Sequence, residues 1–231
     1  MAARRGVFLV LEGGEGVGKT TQWTRLAETL AQRGHDVRAL REPGGTPVGE
    51  ELRRILLSAS SRLTAETEAL LFSASRAQLV TDLMIPALDD DAVVLVDRFL
   101  LSTYAYQGAG RGLSLEAIRA ISLVATRGLV PDLTLLLSLP LEQALARALA
   151  RGAADRMERE STGFHKRVEA EFEKATKSEW QAAHPEIGPV QRVDASGTAD
   201  DVLQRCLAVL AIRWPERFAE DARLLSSPSF S

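Results

Sequence analysis

Five short apolar runs rich in β-branched residues punctuate the chain, at residues 7–11, 36–40, 92–96, 133–139 and 190–193. Each predicts a buried strand. Between them, segments 20–32, 66–83, 115–126, 141–150 and 163–182 carry apolar residues at helical spacing. Strands alternating with helices predict an α/β fold of three layers, a five-stranded parallel sheet with helices on both faces, whose ligands gather at the carboxyl ends of the strands. Residues 150–161 combine Gly, Ala and alternating charges without an apolar face, which predicts a mobile lid over about 147–162. No composition break divides the chain, so one domain is expected over 1–213, followed by an extension, 214–231, whose Ser- and Pro-rich end predicts partial disorder.

Composition narrows the function. Apolar residues at 45% and charged residues at 26% exclude disordered and fibrous classes. A net charge of -3 provides no global basic footprint for nucleic acid, so phosphate ligands should be small and held by local Arg and Lys. The single cysteine, Cys206, excludes an internal disulfide and a Cys-rich zinc site, and His35, His165 and His184 are scattered. The first apolar run stops at Glu12, too early for a signal peptide, and none approaches the roughly 18 residues of a membrane span. A cytoplasmic protein with no membrane or nucleic-acid partner is the expectation.

The chemistry begins with Gly13-Gly14-Glu15-Gly16-Val17-Gly18-Lys19-Thr20, which satisfies G-x-x-x-x-G-K-[ST] between an apolar strand and a helix. Glycines there let successive backbone N–H groups surround phosphates, and the helix N-terminus adds partial positive charge. Lys19 would reach the β and γ phosphates of ATP, the Thr20 hydroxyl would hold Mg²⁺, and Thr21 continues the same turn. Asp97 closes the strand at 92–96 as a Walker B acid does, a second candidate for the metal.

Four further segments make the pattern more specific: Leu11-Glu12-Gly13 into the loop, Arg41-Glu42-Pro43-Gly44-Gly45-Thr46, Leu71-Phe72-Ser73-Ala74-Ser75-Arg76-Ala77, and Asp97-Arg98-Phe99 followed by Ser102 to Arg111. In this order and spacing they resemble the bacterial thymidylate kinases, of the P-loop NTPase superfamily, over about residues 6–194. The resemblance implies transfer of a phosphoryl group from MgATP to dTMP, commonly by a homodimer. It implies that Arg98 and Arg53 grip the acceptor phosphate, that Phe72 stacks on the pyrimidine, and that Arg76 donates to thymine O4. Thr103, Tyr106 and Gln107 would line the base and sugar pocket, with Tyr106 beneath the sugar and Glu12 near its 3′-hydroxyl.

Arg147, Arg151, Arg156 and Arg159 cluster around the segment expected to form the lid, and Glu15 stands where some relatives carry a basic residue. This resembles the subclass that supplies its catalytic arginine from the lid: Arg151 and Arg156 for the transferring phosphoryl group, and Arg147 against adenine. Two alternatives remain open from the residues themselves. One is a kinase for another pyrimidine nucleoside monophosphate; the other is a P-loop NTPase switch, although acceptor-side arginines are not what a hydrolase requires.

Overall fold

The computed structural model describes residues 6–150, 156–157 and 159–223. The chain runs β1 Val7–Glu12, α1 Lys19–Gln32, β2 Val37–Arg41, α2 Pro47–Leu57, α3 Ala65–Leu79, a π-helical turn Val80–Met84, α4 Ile85–Asp89, β3 Val93–Asp97 and α5 Leu100–Thr103. It continues through a second π-helical segment Tyr104–Gly110, α6 Leu115–Thr126, β4 Leu133–Ser138, α7 Leu141–Ala150, α8 Thr162–Ala175, α9 Ser178–Ala183, a short 3₁₀ turn, β5 Val190–Asp194, α10 Ala199–Arg213 and α11 Pro215–Arg223.

All pairings are parallel and the sheet order is β2-β3-β1-β4-β5, the five-stranded αβα arrangement of a P-loop NTPase. β1 lies at the centre, with Val7 to Leu11 in register with Val93 to Asp97 of β3. Alternation along the strands sends Phe8, Val10, Val94 and Val96 into one core, and Leu9, Leu11, Leu95 and Leu135 into the other, beneath α1 and α10. Edge strand β2 carries Arg38 and Arg41 and is largely exposed, which protects it from pairing with another chain. Glu12 and Asp97 thus end adjacent strands on the carboxyl edge of the sheet.

Three local differences from the sequence pattern have physical causes. The helix expected over 66–83 widens into π turns at Val80–Met84, because Pro86 has no N–H to close a regular α turn onto residue 82. The helix expected over 163–182 ends at Ala175: the Thr176 hydroxyl donates to Glu173 O at 2.7 Å and Lys177 is extended before α9. The extension begins as a helix, α11, whose Phe218 is fully buried against His35 and Trp214. Residues 224–231 lie outside the described residues.

Candidate active site

The loop between β1 and α1 is shaped by its glycines. At Gly16, φ is 76°, and an added Cβ would lie 1.8 Å from Ala144 O on α7, so no side chain fits. The first turn of α1 then presents Lys19, buried, beside exposed Thr20 and Thr21. Lys19 Nζ donates to Gly14 O at 2.8 Å, which stations the ammonium over the loop. Burial, then the neighbouring Arg98 charge, lowers its pKa from the usual lysine value.

At the end of β3 the chain turns sharply. Arg98 adopts φ 67°, an uncommon value for a non-glycine residue, and its N–H donates to Leu11 O at 3.0 Å. Its guanidinium lies 5.0 Å from the centre of the Tyr106 ring. Nη1 donates to Gly13 O and to Ser102 Oγ, each at 3.1 Å, and Nη2 donates to Glu15 Oε1 at 2.6 Å. That same Glu15 oxygen accepts the Tyr106 hydroxyl at 2.7 Å. Burial alone would raise the Glu15 carboxyl, but the Arg98 and Lys19 charges outweigh it and pull its pKa down to about 2.

Glu12, expected near the acceptor's 3′-hydroxyl, closes β1 at the carboxyl edge of the sheet. It is fully buried, and Oε1 accepts Phe99 N at 2.9 Å and Ser102 N at 3.0 Å while Oε2 accepts Ser102 Oγ at 2.6 Å. Its role is to brace the turn that carries Arg98; Glu15, not Glu12, presents a carboxylate to the cleft. Asp97 Oδ1 is buried without a hydrogen-bond partner, although Asp97 lines the cleft.

A single cleft of about 570 Å³ connects this phosphate end to a second end formed by α3 and the π segment. Phe72, Arg76, Thr103, Tyr106, Gln107 and Arg53 all line it, with Arg98 between the two ends. Arg53 Nη1 donates to Pro43 O at 2.9 Å. Arg76 is clamped by Glu42, whose carboxylate takes Nε at 2.8 Å and Nη2 at 2.7 Å, while Nη2 also donates to Phe99 O. Nη1 is buried and has no partner.

The arginines of the expected lid separate. Arg147 lines the cleft and its Nη1 lies 3.4 Å from Ala195 O in the β5–α10 connection. Arg156 does not line the cleft: its Nη1 pairs with Glu68 at 2.7 Å and its Nε donates to Leu56 O at 2.8 Å, because a buried carboxylate on α3 draws it there. Arg151 lies outside the described residues. Residues with no expected role also line the cleft, among them Trp23, Arg41, Ser102, Met157, Thr198 and Val202. Glu42 could have been noticed, since it stands within the Arg-Glu-Pro-Gly-Gly segment, but no local pattern ties it to Arg76.

The family model for thymidylate kinase matches residues 11–191. The chain is 49% identical over 168 residues to the thymidylate kinase of Deinococcus radiodurans, covering 73% of this chain and 82% of that one. It is 46% identical over 209 residues to the thymidylate kinase of a Synechococcus strain, covering 90% and 96% respectively. The crystal structure of the Ehrlichia chaffeensis thymidylate kinase superposes with a TM-score of 0.68 at 28% identity, over 89% of this chain and 98% of that one. A phosphate-binding loop, a buried arginine facing an aromatic-lined cleft and these similarities lead to one conclusion: the chain belongs to the thymidylate kinase family.

Proposed function

We propose that the chain transfers the γ-phosphoryl group of ATP to dTMP, giving dTDP and ADP. The observation that carries this reading is Arg76, 2% exposed yet lining the cleft with Nη1 unpartnered. A guanidinium can only donate, so its complement is a carbonyl such as thymine O4; the amino group of cytosine would face it donor to donor, both desolvated. Phe72 offers a stacking face and Tyr106 a wall below the sugar. Arg98, already aligned by Ser102 and Gly13 O, brings a fork matched to the acceptor phosphate, with Arg53 assisting.

The donor phosphates would lie in the loop from Gly13 to Thr20, with Lys19 on the β and γ groups and Arg147 near the donor base. A Mg²⁺ ion suits the oxygen donors available, the Thr20 hydroxyl and the unpartnered Oδ1 of Asp97. Among the described residues no cluster of three or more His, Cys, Asp or Glu side chains could hold a metal by itself, as fits an ion carried mainly by phosphates. When bound, the ion would neutralise charge on the donor phosphates. The dTMP phosphate oxygen attacks in line and is already ionised at neutral pH, so the protein contributes position and positive charge rather than a base. A catalytic role for Arg151 remains part of this reading. Exposed Leu70, Leu123 and Val124 support a homodimer. No described helix is long and apolar enough to cross a membrane, which supports a cytoplasmic setting.

The test is ADP release from MgATP with dTMP, dUMP, dCMP, AMP or no acceptor. Release that requires dTMP supports the reading, with slower turnover of dUMP because a missing methyl is worth only about 1–3 kcal/mol. Release without an acceptor would instead indicate an NTPase.

A further inference from the structure

The wall of the cleft rests on a buried charge that none of the steps above uses. Glu68 lies on α3 one turn before Phe72, with its side chain 1% exposed. Oε1 accepts Gln107 Nε2 at 2.8 Å and Arg111 Nε at 3.2 Å. Oε2 accepts Arg111 Nη2 at 3.1 Å and Arg156 Nη1 at 2.7 Å. Burial pushes its carboxyl up, but the bonds from Arg111, Gln107 and Arg156 outweigh this and hold it below the usual range. Glu68 is therefore ionised at neutral pH and can only accept hydrogen bonds.

That restriction decides which way the Gln107 carboxamide faces. Beside an acceptor-only partner its NH₂ must turn to Glu68, and the oxygen is what remains for a ligand in the cleft that Gln107 lines. Arg76, lining the same cleft, can only donate. One donor and one acceptor of fixed identity complement the O4 and N3–H of thymine or uracil, whereas cytosine reverses the pattern at both atoms.

Resting on the reading of this cleft as a dTMP site, we propose that Glu68 is a positioning residue that holds the Gln107 carboxamide with its oxygen towards the base and so sets discrimination between thymine and cytosine. Arg111 and Arg156 act behind it: they balance a charge that could not otherwise be buried. Arg156 thus serves the acceptor site, through Glu68, from a segment expected to serve the transferring phosphate.

In Glu68→Gln the partner can donate as well as accept, and the Gln107 amide is no longer held one way. The kcat/KM ratio for dTMP over dCMP is expected to fall about tenfold or more, chiefly through a higher KM for dTMP, with kcat changed less than about threefold. Gln107→Met should show a similar loss, and the double variant should be no worse than Gln107→Met alone. Additive losses, or an unchanged ratio in Glu68→Gln, would overturn the proposal. Should Glu68→Gln fail to fold, Glu68→Asp keeps the charge while withdrawing it from Gln107 by one methylene; a folded Glu68→Asp enzyme with undiminished discrimination would overturn it equally. Failure of the unmodified enzyme to use dTMP at all is a separate result, and it would remove the functional reading on which the inference stands.

Discussion

Glu42 and Arg76 form an ion pair with side chains only 3% and 2% exposed, and the pair leaves Nη1 of Arg76 as its one buried unpartnered nitrogen. Taking two charges out of water is costly, and burial raises the Glu42 carboxyl to about 7 against the pull of Arg76. Such a pair is better suited to holding a donor in one direction than to stabilising the fold. Arg76→Met should therefore harm both properties, since it strands Glu42. We expect a loss of about 3 kcal/mol in urea unfolding and a fall of about a hundredfold in the dTMP to dCMP ratio of kcat/KM.

Glu12 braces the turn after β3, and its effect should be transmitted through Arg98. Glu12→Ala leaves the Phe99 and Ser102 N–H groups without their acceptor, so unfolding free energy should drop by about 2–4 kcal/mol. ATP affinity, measured by titration calorimetry, should change little because Glu12 does not line the cleft, whereas the KM for dTMP should rise.

The pH dependence of stability should carry the signature of Glu15. Its carboxyl sits at about 2 in the folded chain against 4.5 ordinarily, so its stabilisation is fully present above pH 4.5 and is lost as pH falls through 2. Thermal melts should show the unmodified protein more stable than Glu15→Gln by about 2–3 kcal/mol at pH 6, with the gap closing towards pH 2. A gap that widened in acid would contradict the assignment.

Phe218 anchors α11 at the opposite edge of the sheet from the cleft. Truncation to Ala should cost about 3–5 kcal/mol by denaturant unfolding, as for other buried aromatics. Phosphoryl transfer by the folded variant should stay within about twofold of the unmodified enzyme, since none of the described residues of α11 lines the cleft.

Much of this architecture was legible because the relevant signals are local. The strand runs begin and end within one residue of the observed strands, and the phosphate loop declares itself by glycine spacing between a strand and a helix. The Tyr104–Gly110 helix was not legible: Tyr-Ala-Tyr-Gln-Gly-Ala-Gly has the composition of a loop, and Gly110 is tolerated because Phe164 fills the space a side chain would take. Pairings across long sequence separations were equally hidden. Glu42, just after β2, meets Arg76 on α3, and Glu68 on α3 meets Arg156 beyond α7, and no local pattern announces either pair. The carboxylate of Glu12 illustrates the same limit, since strand position predicts where it lies but not that three donors already occupy it.

The central claim concerns where the phosphoryl group goes. The most direct measurement follows ATP labelled at the γ-phosphate, with Mg²⁺, dTMP and the 231-residue chain, by separating the products. The account predicts label at the β position of dTDP with one ADP formed for each dTDP. Label appearing as inorganic phosphate at the same rate with or without dTMP would contradict it.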